Sequence, residues 1–478
     1  MLFNSIDFAL FFPIVFLLYW FVFNKNLRSQ NVLLLVSSFF FYACWDWRFL
    51  FLLVFSILLD YFSAHKIFNA STKSSRKFWL ILSIGINLGF LGFFKYYNFF
   101  IDSFVDLLEM NGLKANVWTL QLILPVGISF YTFHGLSYVI DVYKQRIELV
   151  KSGLDYAVFV SYFPLLVAGP IERATHLLPQ IQKSRKFDYA NAVNGSRQIL
   201  WGLIKKIVIA DSCAGYVNQI FENPSDYSGS TLAIGAVLFA FQIYGDFSGY
   251  SDIALGTSRL LGIELLKNFS CPYFSRDIAE FWRRWHISLS SWFRDYVYIP
   301  MGGSRVSKLK QTRNTFVIFL LSGFWHGANW TFIFWGFLHA LFFIPLLLMN
   351  KNRRHLDTVA TNGFFAQAKA IFGILITFSL VTFAWIFFRA NSLEHAFGYI
   401  SGMFSQSLFS FPEIFPKTVI GYIILFILIE WFGKKRNFAI EDFGLNWPKP
   451  FRILFYYVLA GLIVYYSGRD FQFIYFQF

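Results

Sequence analysis

Charged side chains are scarce in this chain of 478 residues, at 14% of the total, whereas apolar residues make up 56%. Soluble domains carry about 25% charged residues. A soluble globule of this composition would not have enough polar side chains to cover its surface. Intrinsic disorder is excluded as well, because so much apolar mass has to be buried. The composition therefore predicts a membrane protein.

Cysteine and the common nucleotide- and metal-binding patterns are lacking too. The three cysteines, Cys44, Cys213 and Cys271, lie in or beside apolar sequence, so no disulfide framework is predicted. The chain has no G-x-x-x-x-G-K-[ST] phosphate loop and no zinc-type spacing of Cys and His. We therefore expect no bound metal or cofactor, and an ATP-driven pump is disfavoured.

Long charge-free apolar runs recur along the whole chain. A helix needs about 20 mostly apolar residues to cross about 30 Å of hydrocarbon. The runs are continuous, which favours helices over a barrel of alternating polarity. With shorter segments included, we predict an all-α polytopic protein with about 11 to 14 transmembrane or re-entrant helices. The long runs are 8–24, 29–45, 78–94, 115–140, 156–171, 227–245, 370–388, 395–412 and 453–468.

Basic residues after the first run, 8–24, and after the third, a shorter apolar run at 49–59, predict an orientation. The net charge is +14, and in a membrane chain this excess is typical of cytoplasmic loops near anionic headgroups rather than of nucleic-acid binding. If the first three runs all span, the basic loops share the cytoplasmic side and the N-terminus lies outside. The N-terminus also lacks the basic start of a signal peptide. The residues concerned are Lys25, Arg28, Lys66, Lys73, Arg76 and Lys77.

No soluble domain can be separated from the apolar sequence. The longest polar stretches, 172–197 and 351–369, are too short to enclose a core. There is also no repeat of fixed period and no low-complexity segment. We expect one integral membrane domain over residues 1–478.

Residues 276–313 interrupt the apolar pattern with eight basic and three acidic side chains. The letters FWRRWHISLSSWFRDY predict one amphipathic helix, with His286 at the edge of its apolar stripe and with Arg283 and Arg294 on the opposite face. Such a helix either lies in the membrane interface or lines the mouth of a site whose basic rim holds an anionic donor. The stripe consists of Phe281, Trp285, Leu289, Trp292 and Tyr296.

A charge-free run of 37 residues covers 314–350. As one helix it would be about 55 Å long, which is too long for a single span. We predict a break within 322–330, where Gly323 and Gly327 bracket His326 and permit a kink or close packing. This break would place His326 at membrane depth.

An ionisable residue at membrane depth is a candidate functional residue. Burial disfavours the charged form of His326, and a neutral imidazole can remove a proton from an alcohol that attacks a carbonyl. The alternative is a structural histidine bonded to Ser322, Asn329 or a backbone carbonyl. His339 would point away from His326 on a continuous helix, so we expect it to be structural.

Two further segments allow more than one interpretation. In GDFSGYSDIALG, Gly245 and Gly249 would permit a break that turns Asp246 and Asp252 inward, whereas the alternative is capping and helix packing. The terminal segment FQFIYFQF, residues 471–478, is either an aromatic anchor or a docking edge for a partner.

Together these segments resemble the signature of the membrane-bound O-acyltransferases. The resemblance rests on FWRRWHISLSSWFRDYVYIPMGG followed by LLSGFWHGANW. The motifs GDFSGYSDIALG and AGPIER and the opening MLFNSIDFALFFPIVFLLYW narrow it to a bacterial branch that includes the membrane subunit for alginate acetylation and, more distantly, that for teichoic-acid D-alanylation. It covers nearly the whole chain and implies a ring of helices around a tunnel.

The resemblance also implies the site. His326 in the WHG motif matches the catalytic histidine of the family, and His286 in RRWHIS matches its second histidine. His286 would orient or polarise the reacting groups, while aromatic neighbours exclude water. The residues that we expect to contact substrate are Arg283, Arg294, Trp325, Asn329 and Asp246.

The implied activity is acetyl transfer from a cytoplasmic thioester, acetyl-CoA, to a hydroxyl of an extracytoplasmic polysaccharide, directly or through an extracytoplasmic acetyltransferase partner. The protein would be multi-pass in the bacterial inner membrane, in contact with lipids and not with nucleic acid. Two alternatives stay open: D-alanyl transfer from a carrier protein to a cell-wall polymer, and a transporter or flippase without chemistry. A membrane scaffold is least consistent with the charged residues.

Overall fold

The computed structural model describes residues 1–113, 120, 122–167, 169–356, 364–468, 471 and 473–474. Within these residues the regular structure is helical and contains no β-strand, in agreement with the all-α prediction. The α-helices in this part of the chain are α1 (Ile6–Leu17), α2 (Leu27–Ala43), α3 (Arg48–Asn69), α4 (Lys73–Leu91), α5 (Tyr97–Met110), α6 (Ile128–Tyr143), α7 (Gly153–Ser161), α8 (Phe163–Leu166), α9 (Ala174–Ile181), α10 (Tyr189–Leu203), α11 (Asp211–Glu222), α12 (Gly229–Leu260), α13 (Ile278–Arg284), α14 (Ile287–Phe293), α15 (Lys308–His326), α16 (Trp330–Leu348), α17 (Phe364–Arg389), α18 (Leu393–Met403), α19 (Lys417–Gly433) and α20 (Lys449–Tyr466).

Short segments of wider or tighter helix join some of these elements. A π-helical turn often marks a functional or strained position. The π-helical segments are Leu18–Val22, Gly92–Tyr96, Ile204–Ala210 and Arg294–Tyr298, and the 3₁₀ segments are Pro224–Asp226, Pro272–Phe274 and Gln406–Phe409.

The chain forms two compact units. Unit 1 contains Met1–Ala192 and Thr257–Leu266, and unit 2 contains Val193–Gly256 and Lys267–Phe478. The expected single domain over 1–478 stays a prediction. Both candidate histidines, His286 and His326, belong to unit 2.

Five helical segments among the described residues are long and apolar enough to cross a membrane. In Lys73–Met110 only 17% of the most apolar window is buried, so its side chains form an apolar outer surface. The larger predicted number of spans stays a prediction, and parts of the runs 115–140 and 156–171 lie outside the described residues. The five segments are Arg48–Asn69, Lys73–Met110, Gly229–Leu260, Trp330–Leu348 and Ala366–Arg389, and a shorter apolar helix covers Ile6–Val22.

Helices α15 and α16 form a tight hairpin, which confirms the predicted break. A Cβ on Gly323 would lie 2.2 Å from the carbonyl oxygen of Phe332, and a Cβ on Gly336 would lie 2.3 Å from that of Phe319. Real Cβ atoms do not approach so closely, so both glycines are required for this spacing. The turn after His326 ends where the Asn329 side chain accepts a hydrogen bond from the backbone of α16.

The single amphipathic helix predicted over 281–296 is wrong. Helix α13 ends at Arg284, Trp285 is extended, and His286 adopts the left-handed conformation with φ 43° and ψ 54°. Helix α14 then begins at Ile287. Arg283 and Arg294 therefore do not share one helix face, and His286 lies at a bend rather than at the edge of an apolar stripe.

A tertiary backbone pairing explains this bend. The N–H of Ser270 donates to the carbonyl of Arg284 at 3.0 Å, and the N–H of Ile287 donates to that of Asn268 at 2.9 Å. These bonds to residues 268–270 replace intrahelical bonds that a continuous helix would form. The apolar periodicity is genuine, because Trp285 is fully buried, but burial in two short helices satisfies it equally well.

The break that Gly245 and Gly249 would permit does not occur, because α12 is continuous from Gly229 to Leu260. A Cβ on Gly245 would lie 2.8 Å from the carbonyl oxygen of Lys205, and one on Gly249 would lie 2.7 Å from that of Gly202. The glycines therefore permit close packing of α12 against this backbone, which agrees with the packing interpretation.

Two described residues of the C-terminal segment are buried in unit 2. Phe473 and Ile474 are 0% and 1% exposed, and the Phe473 ring centroid lies 4.3 Å from that of Tyr250. At these two positions the segment is neither a lipid anchor nor an open docking edge. Residues 472 and 475–478 lie outside the described part of the chain.

Candidate active site

Two of the predicted site residues, His286 and His326, lie next to each other. Their ring centroids are 6.4 Å apart, and the residues are 0% and 3% exposed. His326 is the last residue of α15, and His286 immediately precedes α14. The left-handed bend at His286 and the hairpin after His326 thus converge at one buried point.

Aromatic rings enclose this histidine pair. The ring centroid of His326 lies 4.9 Å from that of Trp325, 5.1 Å from Trp335 and 5.2 Å from Phe388. The His286 centroid lies 4.7 Å from that of Phe247 and 5.8 Å from Trp325. Trp325, a predicted site residue, therefore contacts both histidines. Such walls exclude water and strengthen electrostatic effects on reacting groups.

His286 is held by one polar neighbour. Its Nδ1 lies 3.1 Å from Oδ1 of Asn268, and Nε2 is buried with no hydrogen-bond partner among the described residues. Burial lowers the pKa of His286 to about 3, because desolvation disfavours the imidazolium. The ring is therefore neutral near pH 7 and offers a nitrogen lone pair.

His339 also lies next to Trp335. The Trp335 centroid is 5.1 Å from that of His326 and 4.8 Å from that of His339. Nδ1 of His339 accepts a hydrogen bond from Nε1 of Trp282 at 3.3 Å. This contact agrees with the structural role expected for His339.

The predicted donor-binding arginines are engaged in different ways. The Arg283 guanidinium donates to the carbonyl oxygens of Asn352 and His355, each at 2.8 Å, and so fixes that loop. The Arg294 side chain is 62% exposed and pairs with Asp295 at 2.8 Å. Arg294 is thus the more accessible cation of the two.

Glu280 neutralises two further basic residues of this segment. Arg276 Nε lies 3.0 Å from the Glu280 carboxylate, and Arg284 Nη2 lies 2.6 Å from it. The positive charge available to an anion is therefore smaller than the sequence count of basic residues indicates.

Asn329 and Asp246 are committed to contacts within the protein. Asn329 caps α16 by accepting from the N–H of Thr331, and it donates to the carbonyl of Asn391, both at 2.9 Å. Asp246 lies 2.9 Å from Nζ of Lys206 and accepts from the N–H of Ile474 at 2.7 Å. These contacts account for both side chains without a substrate.

The sequence reasoning missed Asn268, Trp335 and Phe388 as neighbours of the histidine pair. Asn268 lies 18 residues before His286, outside any helical spacing, and Phe388 lies inside a long apolar run. Pattern alone gave no signal for them. Among the described residues, His, Cys, Asp and Glu side chains form no group of three that could hold a metal ion.

Comparison with known proteins gives a consistent family match. The model of MBOAT, the membrane-bound O-acyltransferase family, matches residues 151–393, which include both histidines. A peptidoglycan O-acetyltransferase of Helicobacter pylori is 34% identical over 100% of this chain and 98% of its own length. A probable alginate O-acetylase of Pseudomonas putida is 36% identical over 100% of both chains. A teichoic acid D-alanyltransferase of Bacillus subtilis is 30% identical over 58% of this chain and 71% of its own length.

Proposed function

Because the chain belongs to the membrane-bound O-acyltransferase family, we propose that it transfers acetyl groups to hydroxyls of an extracytoplasmic polysaccharide or of peptidoglycan. The observation that carries this proposal is the buried pair of His286 and His326 inside an aromatic enclosure. The full-length similarity to two proteins named for O-acetylation favours acetyl over D-alanyl transfer, since the D-alanyltransferase aligns with only 58% of the chain.

His326 acts as the general base in the proposed reaction. It removes the proton of the acceptor hydroxyl as the oxygen attacks the carbonyl carbon of the acetyl thioester, for which acetyl-CoA is the proposed donor. The carbon–sulfur bond then breaks, and the proton on His326 passes to the leaving thiolate. One thioester and one alcohol thereby give one ester and one thiol.

The neighbouring groups position this chemistry. His286 orients the reacting groups beside His326, and Trp325, which contacts both rings, keeps water away and limits hydrolysis of the thioester. Arg294 is the exposed cation proposed to contact donor phosphates, while Arg283 supports the loop at Asn352 and His355.

The proposed membrane arrangement is based on the charge distribution. The protein is a multi-pass membrane protein, and we place it in the inner membrane with its N-terminus and acceptor polymer outside and the thioester donor in the cytoplasm. If this protein does not pass the acyl group to the polymer directly, an extracytoplasmic acetyltransferase partner would complete the transfer.

The test is acetyl transfer from labelled acetyl-CoA in inverted vesicles, with and without extracytoplasmic proteins. His326→Gln should lower the rate by about 10²- to 10⁴-fold, because proton transfer to the base is lost. The control is His65→Gln, a half-buried histidine whose Nδ1 contacts the carbonyl of Tyr61 on its own helix. Unchanged transfer by folded His326→Gln protein contradicts the assignment of the base.

The same assay separates the alternatives. If the polymer acquires label from D-alanyl carrier protein and none from acetyl-CoA, the protein is a D-alanyltransferase. Export of polymer without any covalent label, and without dependence on His326, would identify a transporter or flippase.

A further inference from the structure

Asn268 lies directly behind one of the two histidines. Asn268 is 1% exposed. Its Oδ1 lies 3.1 Å from Nδ1 of His286 and 2.8 Å from Oγ of Ser288. The same oxygen accepts from the backbone N–H of Ser288 at 3.4 Å. One amide oxygen thus meets three groups of the bend that precedes α14.

These contacts determine which end of the amide faces the histidine. A backbone N–H can only donate, so the Asn268 atom next to Ser288 must be the oxygen. An oxygen without a hydrogen can only accept, and therefore Nδ1 of His286 must carry the proton. A neutral imidazole with its proton on Nδ1 has a lone pair on Nε2.

The backbone supports the same arrangement. The N–H of Ile287 donates to the Asn268 carbonyl at 2.9 Å, so the two segments are held in register on both sides of the amide side chain. His286 keeps a left-handed conformation, φ 43°, that is uncommon for a residue with a side chain. Such a conformation persists where surrounding contacts over-determine it, and it is enriched at functional sites.

The neutrality of Asn268 matters because charged groups lie beyond it. Asn268 lines a small cavity whose wall also contains the charged residues Lys205, Asp252, Lys267 and Glu430. Lys205 and Asp252 form an ion pair at 2.5 Å in that wall. The Asn268 amide borders this charged cluster and gives His286 a hydrogen-bond acceptor without adding a charge.

We propose that Asn268 is a positioning residue that fixes His286 in its Nδ1–H tautomer and leaves Nε2 as a hydrogen-bond acceptor beside His326. This inference rests on the proposed acyltransferase function and narrows the role of His286 within it. Nε2 has no hydrogen to donate to a thioester carbonyl. It acts only as a hydrogen-bond acceptor beside His326, for a hydrogen other than the one that His326 removes from the acceptor hydroxyl.

The first test measures the tautomer without any substrate. Full-length protein labelled with ¹⁵N-histidine is purified into lipid nanodiscs, and the His286 signals are assigned by their loss in His286→Gln. The ¹⁵N shifts should show a protonated Nδ1 and an unprotonated Nε2 in the wild-type protein and in Ser288→Ala. In Asn268→Ala the preference should be lost. A protonated Nε2 in the wild-type protein overturns the proposal, whatever the protein is found to transfer.

The second test measures the consequence for catalysis. Asn268→Ala should lower kcat about 10-fold or more with little change in KM, because a neutral histidine is then no longer held in the useful tautomer. Ser288→Ala is the matched control, since it removes the other side chain that bonds the same oxygen. Equal losses in both variants, or a full kcat in Asn268→Ala, contradict a positioning role.

The two tests separate this inference from the proposed function. If the tautomer is as proposed but no acetyl transfer occurs, the activity assignment fails and the positioning of His286 stands. If Asn268→Ala does not fold, Asn268→Ser gives the same comparison with a smaller acceptor. Monodisperse elution in detergent is required of every variant before its kcat is interpreted.

Discussion

His286 and Asn268 form a pair of neutral groups in a buried site, and the neutrality of this pair affects the expected pH dependence. Burial lowers the pKa of His286 to about 3, so the wild-type ring keeps its Nε2 lone pair throughout the physiological range. Among the described residues the rings that contact it are Phe247, Phe269, Trp325 and His326, with Asn268 on Nδ1. Protonation of His286 should therefore not limit the wild-type rate at mildly acidic pH.

Asn268→Asp should change this pH profile. The new carboxylate would lie about 3 Å from Nδ1, and an adjacent negative charge stabilises the imidazolium and raises the pKa of His286. The protonated form lacks the Nε2 lone pair, so kcat should fall as the pH is lowered through the raised pKa and recover above it. The measurement is kcat against pH for wild-type and Asn268→Asp proteins in the same vesicles.

Ser288→Asp is a demanding comparison for this experiment. It adds the same charge close to the bend but does not replace the acceptor of Nδ1. If kcat fell more at acidic pH in Ser288→Asp than in Asn268→Asp, this result would contradict the direct contact between residue 268 and Nδ1 of His286. Superimposable profiles for the wild-type and Asn268→Asp proteins would show that the His286 proton is irrelevant to the rate.

Single residues differ in how far the sequence predicts them. His326 and His286 can be found because rare ionisable residues stand out in apolar sequence and match family motifs. Asn268, Trp335 and Phe388 cannot, because their proximity depends on backbone register and on packing between helices distant in the chain. For Asn329 and Asp246 the structure shows hydrogen bonds to the backbone of α16 and of the C-terminal segment, and their contact with substrate stays a prediction.

At the scale of elements, the hairpin of α15 and α16 sets the position of His326. Gly336→Ala would put a Cβ 2.3 Å from the carbonyl oxygen of Phe319, which must push the helices apart. Such overpacking costs about 1–3 kcal/mol, and more when backbone has to move. The variant should have a lower thermal midpoint in detergent and reduced acetyl transfer, because His326 moves with α15.

Gly421→Ala provides the matched control for this helix substitution. Gly421 also lies inside an apolar helix, α19, but a Cβ there would meet nothing within 4 Å. Alanine should be neutral or slightly stabilising at that position, since it is the better helix former. Equal midpoints for the Gly336 and Gly421 variants would show that the close approach of α15 and α16 is not required.

The helices show which breaks can be predicted from the apolar pattern of the sequence and which cannot. The break after His326 was predictable because 37 charge-free residues exceed one membrane crossing and glycines mark the turn. The prediction of one helix over 281–296 was wrong, although the apolar spacing correctly indicated buried side chains. Backbone hydrogen bonds with residues 268–270 divide the segment at His286. Spacing reports which side chains are buried, whereas long-range pairing decides whether the backbone between them stays helical.

For the whole molecule, the basic residues of unit 1 give a topology that the structure makes testable. If Ile6–Val22, α2, α3 and α4 each cross the membrane, the turns 23–26 and 70–72 share one side and the turn 44–47 lies on the other. The positive-inside rule puts the first pair in the cytoplasm. The basic residues beside these two turns are Lys25, Arg28, Lys66, Lys73, Arg76 and Lys77.

The native thiol of Cys44 reports on this orientation directly, because it is exposed in the turn 44–47. A membrane-impermeant maleimide added to intact spheroplasts should label Cys44, whereas Cys44→Ser protein should lose that label. In a Cys44→Ser background, Asn24→Cys, in the exposed turn 23–26, should be labelled only after the membrane is opened. The opposite pattern would place the N-terminus in the cytoplasm, and it would put the basic turns outside, against the membrane potential that favours cations within.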